Sequence, residues 1–195
     1  MLGKTDFRFL FVSLQLLIHI NEAKNRELAS LDADMQQLVW DFATHTAPVV
    51  DDKLLISAAH LRKALFTVEI LKQNGWNGDL QPERALLIDP EFHEMLPAID
   101  PPMLAQIEAC IIELGVLQPL VIWGKTILDG HVRYFICMRH ELPFETRQMP
   151  FMNRQEAESF ILRNQSGLHN YTPEQIAEIE MRLTEYEAGT STATM

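Results

Sequence analysis

The sequence predicts an α+β fold, a mixed sheet with helices over residues 84–183, preceded by a helical region over 1–80 and followed by a short tail at 184–195. Three observations carry this expectation. Up to about Trp76, apolar residues recur at helical spacing. After Gln81-Pro82, short apolar runs ended by Asp-Pro or Gly alternate with amphipathic stretches. With 47% hydrophobic and 22% charged residues, a chain of 195 residues can bury a real core without staples.

The elements follow in order. The run from Phe9 to Ile20 is apolar but too short for a membrane span. Asp6 precedes it and no small-residue cleavage site follows, so it reads as a buried helix. Asp32 or Asp34 can cap a second helix through Phe42, with Leu38, Val39 and Phe42 on one face. Thr46-Ala47-Pro48 breaks it, and a third helix is expected from about Asp52 to Gln73, with Leu54, Leu55, Ala58, Leu61, Leu65, Val68 and Leu71 at helical spacing. Asn74-Gly75 ends that helix.

Ala85-Leu86-Leu87-Ile88, closed by Asp89-Pro90, suits a buried strand. Asp100-Pro101-Pro102 opens a helix with a stripe of Leu104, Ile107, Ile111 and Leu114, stopped by Gly115. Val116 to Trp123 reads as a strand, with Pro119 arguing for an edge position or a bulge, and Gly124-Lys125 turns it into Thr126-Ile127-Leu128 as a hairpin. A helix runs from His131 to about His140, with Tyr134, Phe135 and Met138 on its apolar face. A strand is expected within Phe144–Met149. Asn153 and Glu156 make a capping-box-like start for the next helix, and Thr172-Pro173-Glu174-Gln175 starts the last one, ahead of a frayed tail from Gly189.

Charge narrows the function classes. Sixteen basic residues against 27 acidic ones give a formal charge of −11, a field that repels polyanions, so direct duplex binding should be weak. Cys110 and Cys137 lie in apolar helical patterns without CxxC spacing and read as buried thiols of a reducing, cytoplasmic compartment. No pair of the seven histidines has zinc spacing, and no metal site is assigned.

The chemistry concentrates in Asp129-Gly130-His131-Val132-Arg133. A strand ends, a glycine permits an unusual turn, and a helix begins with backbone N–H groups that have no intrahelical partner. Arg133 lies in the first turn and can fork onto a phosphate, and His131 can donate a further hydrogen bond. Spacing alone suits a plain cap, turn and surface ion pair equally well.

The surroundings add a resemblance. Ile88-Asp89-Pro90, Gly115, Gln118-Pro119-Leu120-Val121, Gly130-His131-Val132-Arg133, Asn164-Gln165 and Tyr171-Thr172-Pro173-Glu174-Gln175 occur in the order of the ParB N-terminal domain, whose fold is shared with sulfiredoxin. The Asp-Gly-His-x-Arg-Tyr form resembles ParB-like proteins of bacterial plasmids, phages and mobile elements. The resemblance implies a nucleotide site lined by Gly130, His131 and Arg133, closed by Asn164 or Gln165, with Asp129 and Gln118 as polar support. It implies CTP or ATP with magnesium as ligand, at most a weak NTPase activity, and a DNA-associated protein partner or a homo-oligomer. Two departures stand out. Leu168 and His169 occupy the places of a family arginine or arginine pair, which removes charge-assisted bonds worth roughly 1.5–3 kcal/mol each. No room is left for a helix-turn-helix.

Other functions fit less well. Sulfiredoxin chemistry needs a thiolate beside the phosphate turn, where this sequence has His131, with Cys137 two turns into the helix. A metal-dependent nuclease would draw on Asp129, Glu113 or Glu141, which form no tight acidic motif. A degenerate protein-interaction domain without ligand is the alternative to the nucleotide module.

Overall fold

Asp32 and Ser57 start the two long helices of the N-terminal region. In the computed structural model, which describes residues 28–166 and the isolated positions 177, 181 and 184, the Asp32 carboxylate accepts from the Met35 N–H at 2.8 Å and opens α1 (Ala33–Thr46). The Ser57 hydroxyl accepts from the His60 N–H at 3.1 Å and opens α2 (Ala58–Gln73). Residues 1–27 and, apart from those three positions, 167–195 lie outside the described residues, and with them the expected Phe9–Ile20 helix and the expected Thr172 helix start.

The third helix therefore starts later than its periodicity suggests. Leu54 and Leu55 belong instead to a small antiparallel hairpin, β1 (Val49–Val50) and β2 (Lys53–Leu54) with its exit. Asp51 and Asp52 form its turn at φ 49° and 59°, the conformation that two-residue hairpins require and that Asp tolerates better than most residues. From Ser57 on, helical spacing holds. Leu61, Ala64, Val68 and Leu71 are fully buried on one face, so truncating Leu61 to alanine should cost about 2–5 kcal/mol.

A single-turn 3₁₀ helix (Pro82–Arg84) leads into the 85–88 run, then come α3 (Pro90–Glu94), α4 (Pro101–Leu114), β3 (Leu120–Trp123), β4 (Thr126–Asp129), α5 (His131–Arg139), β5 (Thr146–Gln148) and α6 (Arg154–Ser166). The sheet order is β4-β3-β5, antiparallel between β3 and β4 and parallel between β3 and β5. β3 is thus central rather than an edge strand. Pro119 precedes it by one residue, and the irregularity lies between Val121 and Ile122.

The buried run Ala85–Ile88 extends this sheet by a bridge rather than a ladder. Leu87 donates to the Lys125 carbonyl at 2.7 Å and accepts from the Ile127 N–H at 2.9 Å, parallel to β4. Side chains satisfy much of the rest. The Thr67 hydroxyl accepts from the Ile88 N–H at 2.8 Å, and the buried Tyr134 hydroxyl meets the backbone of Leu86 and Arg84. Buried backbone groups need partners, and α2 and α5 supply them here.

One apolar core runs through α1, α2, the 85–88 run, β3, β4 and α5, so it crosses the 80–84 boundary without a break. Phe42 and Trp76 meet edge to face at 5.7 Å within it. A second cluster seats α6 on the sheet through Ala157 and Ile161 against Leu128, Val121 and Phe92. Mixed helix and strand, with a small mixed sheet, place the chain in the α+β class.

The cysteines differ from expectation. Cys137 is buried, but Cys110 is exposed, because α4 buries only Ile111 deeply and leaves Leu114 61% exposed. Asp100 occupies the cap position of α4 without a side-chain hydrogen bond.

Candidate functional site

Gly130 joins β4 to α5 in a left-handed conformation, φ 97° and ψ 22°. An L residue is strained there, and a Cβ would have no room: it would lie 2.6 Å from Leu120 Cδ2 and 2.8 Å from Arg133 Nη2. The strand–glycine–helix turn of the sequence thus has a physical reason. Chain reversal needs positive φ, and two side chains close over the bare Cα.

Arg133 does not reach outward into an open cleft. Its Nη2 donates to Asp129 Oδ2 at 2.9 Å, one turn back along the chain, with side chains only 23% and 18% exposed. Its Nε is buried without a hydrogen-bond partner among the described residues.

His131, the first residue of α5, points into the protein. It is 3% exposed, and neither ring nitrogen has a partner among the described residues. Burial, then the neighbouring His93 and Arg133, push its pKa down to about 3, against a small opposing effect of Asp89. The imidazole is therefore neutral and cannot serve as a surface cation. His93 packs at 5.6 Å ring to ring and is itself lowered by burial, with Phe66 and Phe135 on its other sides.

Asp89 is a charged centre that the sequence marks only as a strand end and not as a site residue. It is 1% exposed at the end of the 85–88 run, where its Oδ1 caps α3 through the Glu91 N–H. Lys63 of α2 lies 2.6 Å from Oδ2, and Arg154 of α6 forks onto both oxygens at 2.8 and 3.1 Å. Burial pushes the Asp89 pKa up, but the bonds from Arg154 and Lys63 outweigh it and hold the carboxyl at about 2. Arg154 also meets Glu91 and Glu158 and stacks over Phe92 at 4.3 Å. Asp-Pro at a strand end was the visible signal for Asp89. Its partners are 26 and 65 residues away along the chain, as their numbers show, so no local pattern exposes them.

The remaining expected residues are dispersed. Gln118 is exposed in the loop before β3, and Gln165 is 1% exposed on α6. Asn164 lines a shallow groove of about 690 Å³ together with Phe151, Asn153, Ser159, Phe160 and Arg163, and no wall of that groove comes from the Gly130 turn. The carboxylates considered for a metal are apart too, with Glu113 and Glu141 exposed and Asp129 on Arg133. Among the described residues no group of three His, Cys, Asp or Glu could hold a metal ion. The Cys137 thiol is pushed up to about 11, chiefly by burial, and so stays protonated at neutral pH.

Three of the arginines are engaged by carboxylates. Arg139 pairs with Glu108, Arg154 with Asp89, and Arg133 with Asp129. Compared with family models, with curated proteins and with solved structures, the chain gives no match.

Proposed function

We propose that this chain is a ParB-like nucleotide-binding module, of the ParB/sulfiredoxin fold, that takes the phosphates of a nucleotide at the Asp129–Arg133 turn. It acts with a DNA-associated protein partner or as a homo-oligomer in a bacterial plasmid, phage or mobile-element setting. The observation that supports this best is the left-handed Gly130 between β4 and α5, with Arg133 in the first turn of the helix. A parallel 85–88 run beside the β3–β4 hairpin, followed by a helix and a parallel β5, agrees with the element order that the resemblance implies. Among the described residues no helix is long and apolar enough to cross a membrane.

Calorimetric titration with each of the four NTPs plus magnesium, on wild type and Arg133→Ala, tests the reading. Binding of at least one nucleotide, lost in the variant, is the expected result. Absence of binding for all four would remove the nucleotide reading in favour of a ligand-free interaction domain, which the side chains closed over Gly130 also suit. DNA association should then require the partner, because Arg133, Arg139 and Arg154 are already matched by carboxylates.

A further inference from the structure

We propose that the Asp129 carboxylate is an internal stand-in for the ligand's phosphate: it holds Arg133 folded against Gly130, and an anion binds the turn only by taking the guanidinium from it. The inference rests on the phosphate-binding reading of the turn and adds how that site is regulated.

Three observations carry it. The place of the missing Gly130 Cβ lies 2.8 Å from Arg133 Nη2 and 3.1 Å from Nε, so the guanidinium lies flat against the glycine rather than extending to solvent. Only one of its nitrogens is matched by Asp129, through Nη2 at 2.9 Å, while Nε is buried with no partner among the described residues. A guanidinium offers five donors in a planar fork, and a phosphate can take two at once. The contact with Asp129 leaves that capacity unused. Thirdly, His131 in the same first turn is directed into the interior beside His93 and is neutral, so Arg133 is the cation that this turn can offer an anion.

Asp129 and an incoming phosphate therefore compete for one cation. A part-exposed pair of this kind weakens the competitor about two- to fivefold. Removing any acid near an anion site also helps by plain repulsion, so the test must separate exchange from repulsion.

Inorganic triphosphate is titrated into the full-length chain, followed by NMR, for wild type, Asp129→Asn, Arg133→Gln and the double variant. Thermal unfolding confirms that each is folded, and Asp129→Ser serves if the Asn variant is not. The latch predicts that Asp129→Asn tightens binding about two- to fivefold, that the gain vanishes in the Arg133→Gln background, and that the Arg133 Nε resonance shifts when Asp129 is replaced. A gain that persists without Arg133 means repulsion alone and overturns the latch, as does no gain at all in a protein that binds triphosphate through Arg133. Binding by none of the four proteins removes the phosphate-site reading and the latch together.

Discussion

Arg154 forks onto Asp89 across 65 residues, Nη1 to Oδ2 at 2.8 Å and Nη2 to Oδ1 at 3.1 Å, and so fixes the start of α6 against the end of the 85–88 run. Asp89 is buried while Arg154 and Lys63 are part-exposed, so the carboxylate depends on its partners more than they depend on it. Arg154→Ala should destabilise the fold by about 1–3 kcal/mol and Asp89→Asn by about 2–4 kcal/mol, with strong coupling between them in the double variant. Urea midpoints measure this. Simple additivity would show that the fork contributes nothing specific.

The same carboxylate sets an acid limit. Its folded pKa of about 2 lies below the ordinary 3.8, so its contribution is complete above 3.8 and is lost as pH falls through about 2. Stability of Asp89→Asn relative to wild type should accordingly converge below that window. A difference that stays constant down to the lowest pH would contradict the assignment.

His131 acts in a different window. It is neutral in the folded chain down to about 3, whereas an unfolded histidine binds a proton below 6.5. The unfolded state then holds more protons, and stability falls with pH between those values, by about 2 kcal/mol at about pH 5 from this residue. His131→Leu removes no described hydrogen bond and should flatten that slope, leaving the parts due to His93 and His60, which burial also lowers. Denaturation curves at neutral and mildly acid pH decide it, an unchanged slope being the adverse result.

Gly130→Ala should cost about 1–2 kcal/mol from backbone conformation alone, and more because Leu120 Cδ2 would have to move. Gly124 offers a comparison: φ is also positive at 61°, but nothing lies within 4 Å of its Cβ place, so its alanine variant should be the milder of the two. Equal unfolding temperatures for both variants would rule out the packing contribution.

The two thiols should separate kinetically. Cys110 is exposed and should react with a thiol reagent in the native chain, while Cys137 is buried, with its pKa pushed up to about 11, and should react only on unfolding. Cys110→Ser should change stability by less than about 0.5 kcal/mol. Two native-state equivalents of rapid reaction would place Cys137 at the surface.

Sequence alone determined the elements whose signals are local. A cap at Asp32 or Asp34, the helix stop at Gly115, the glycine turn at Gly130, the β3–β4 hairpin around Gly124-Lys125 and the Asn153–Glu156 capping box are all legible because backbone sterics and near-neighbour hydrogen bonds act over a few residues. The turn from β4 through Gly130 into α5 was legible for the same reason. What only the tertiary structure decided is which groups meet. Leu54 and Leu55 match a helical period, yet the Asp51-Asp52 turn pairs the short strands ahead of Ser57. Cys110 shares an apolar pattern with Ile111, but α4 presents a narrower face to α5 than its composition suggests. Arg133 and His131 were both expected at a ligand; one is folded onto Asp129 and the other lies in the interior beside His93. Lys63, Asp89 and Arg154 come together from three elements far apart in the chain, because burying one carboxylate demands cations from wherever the fold brings them.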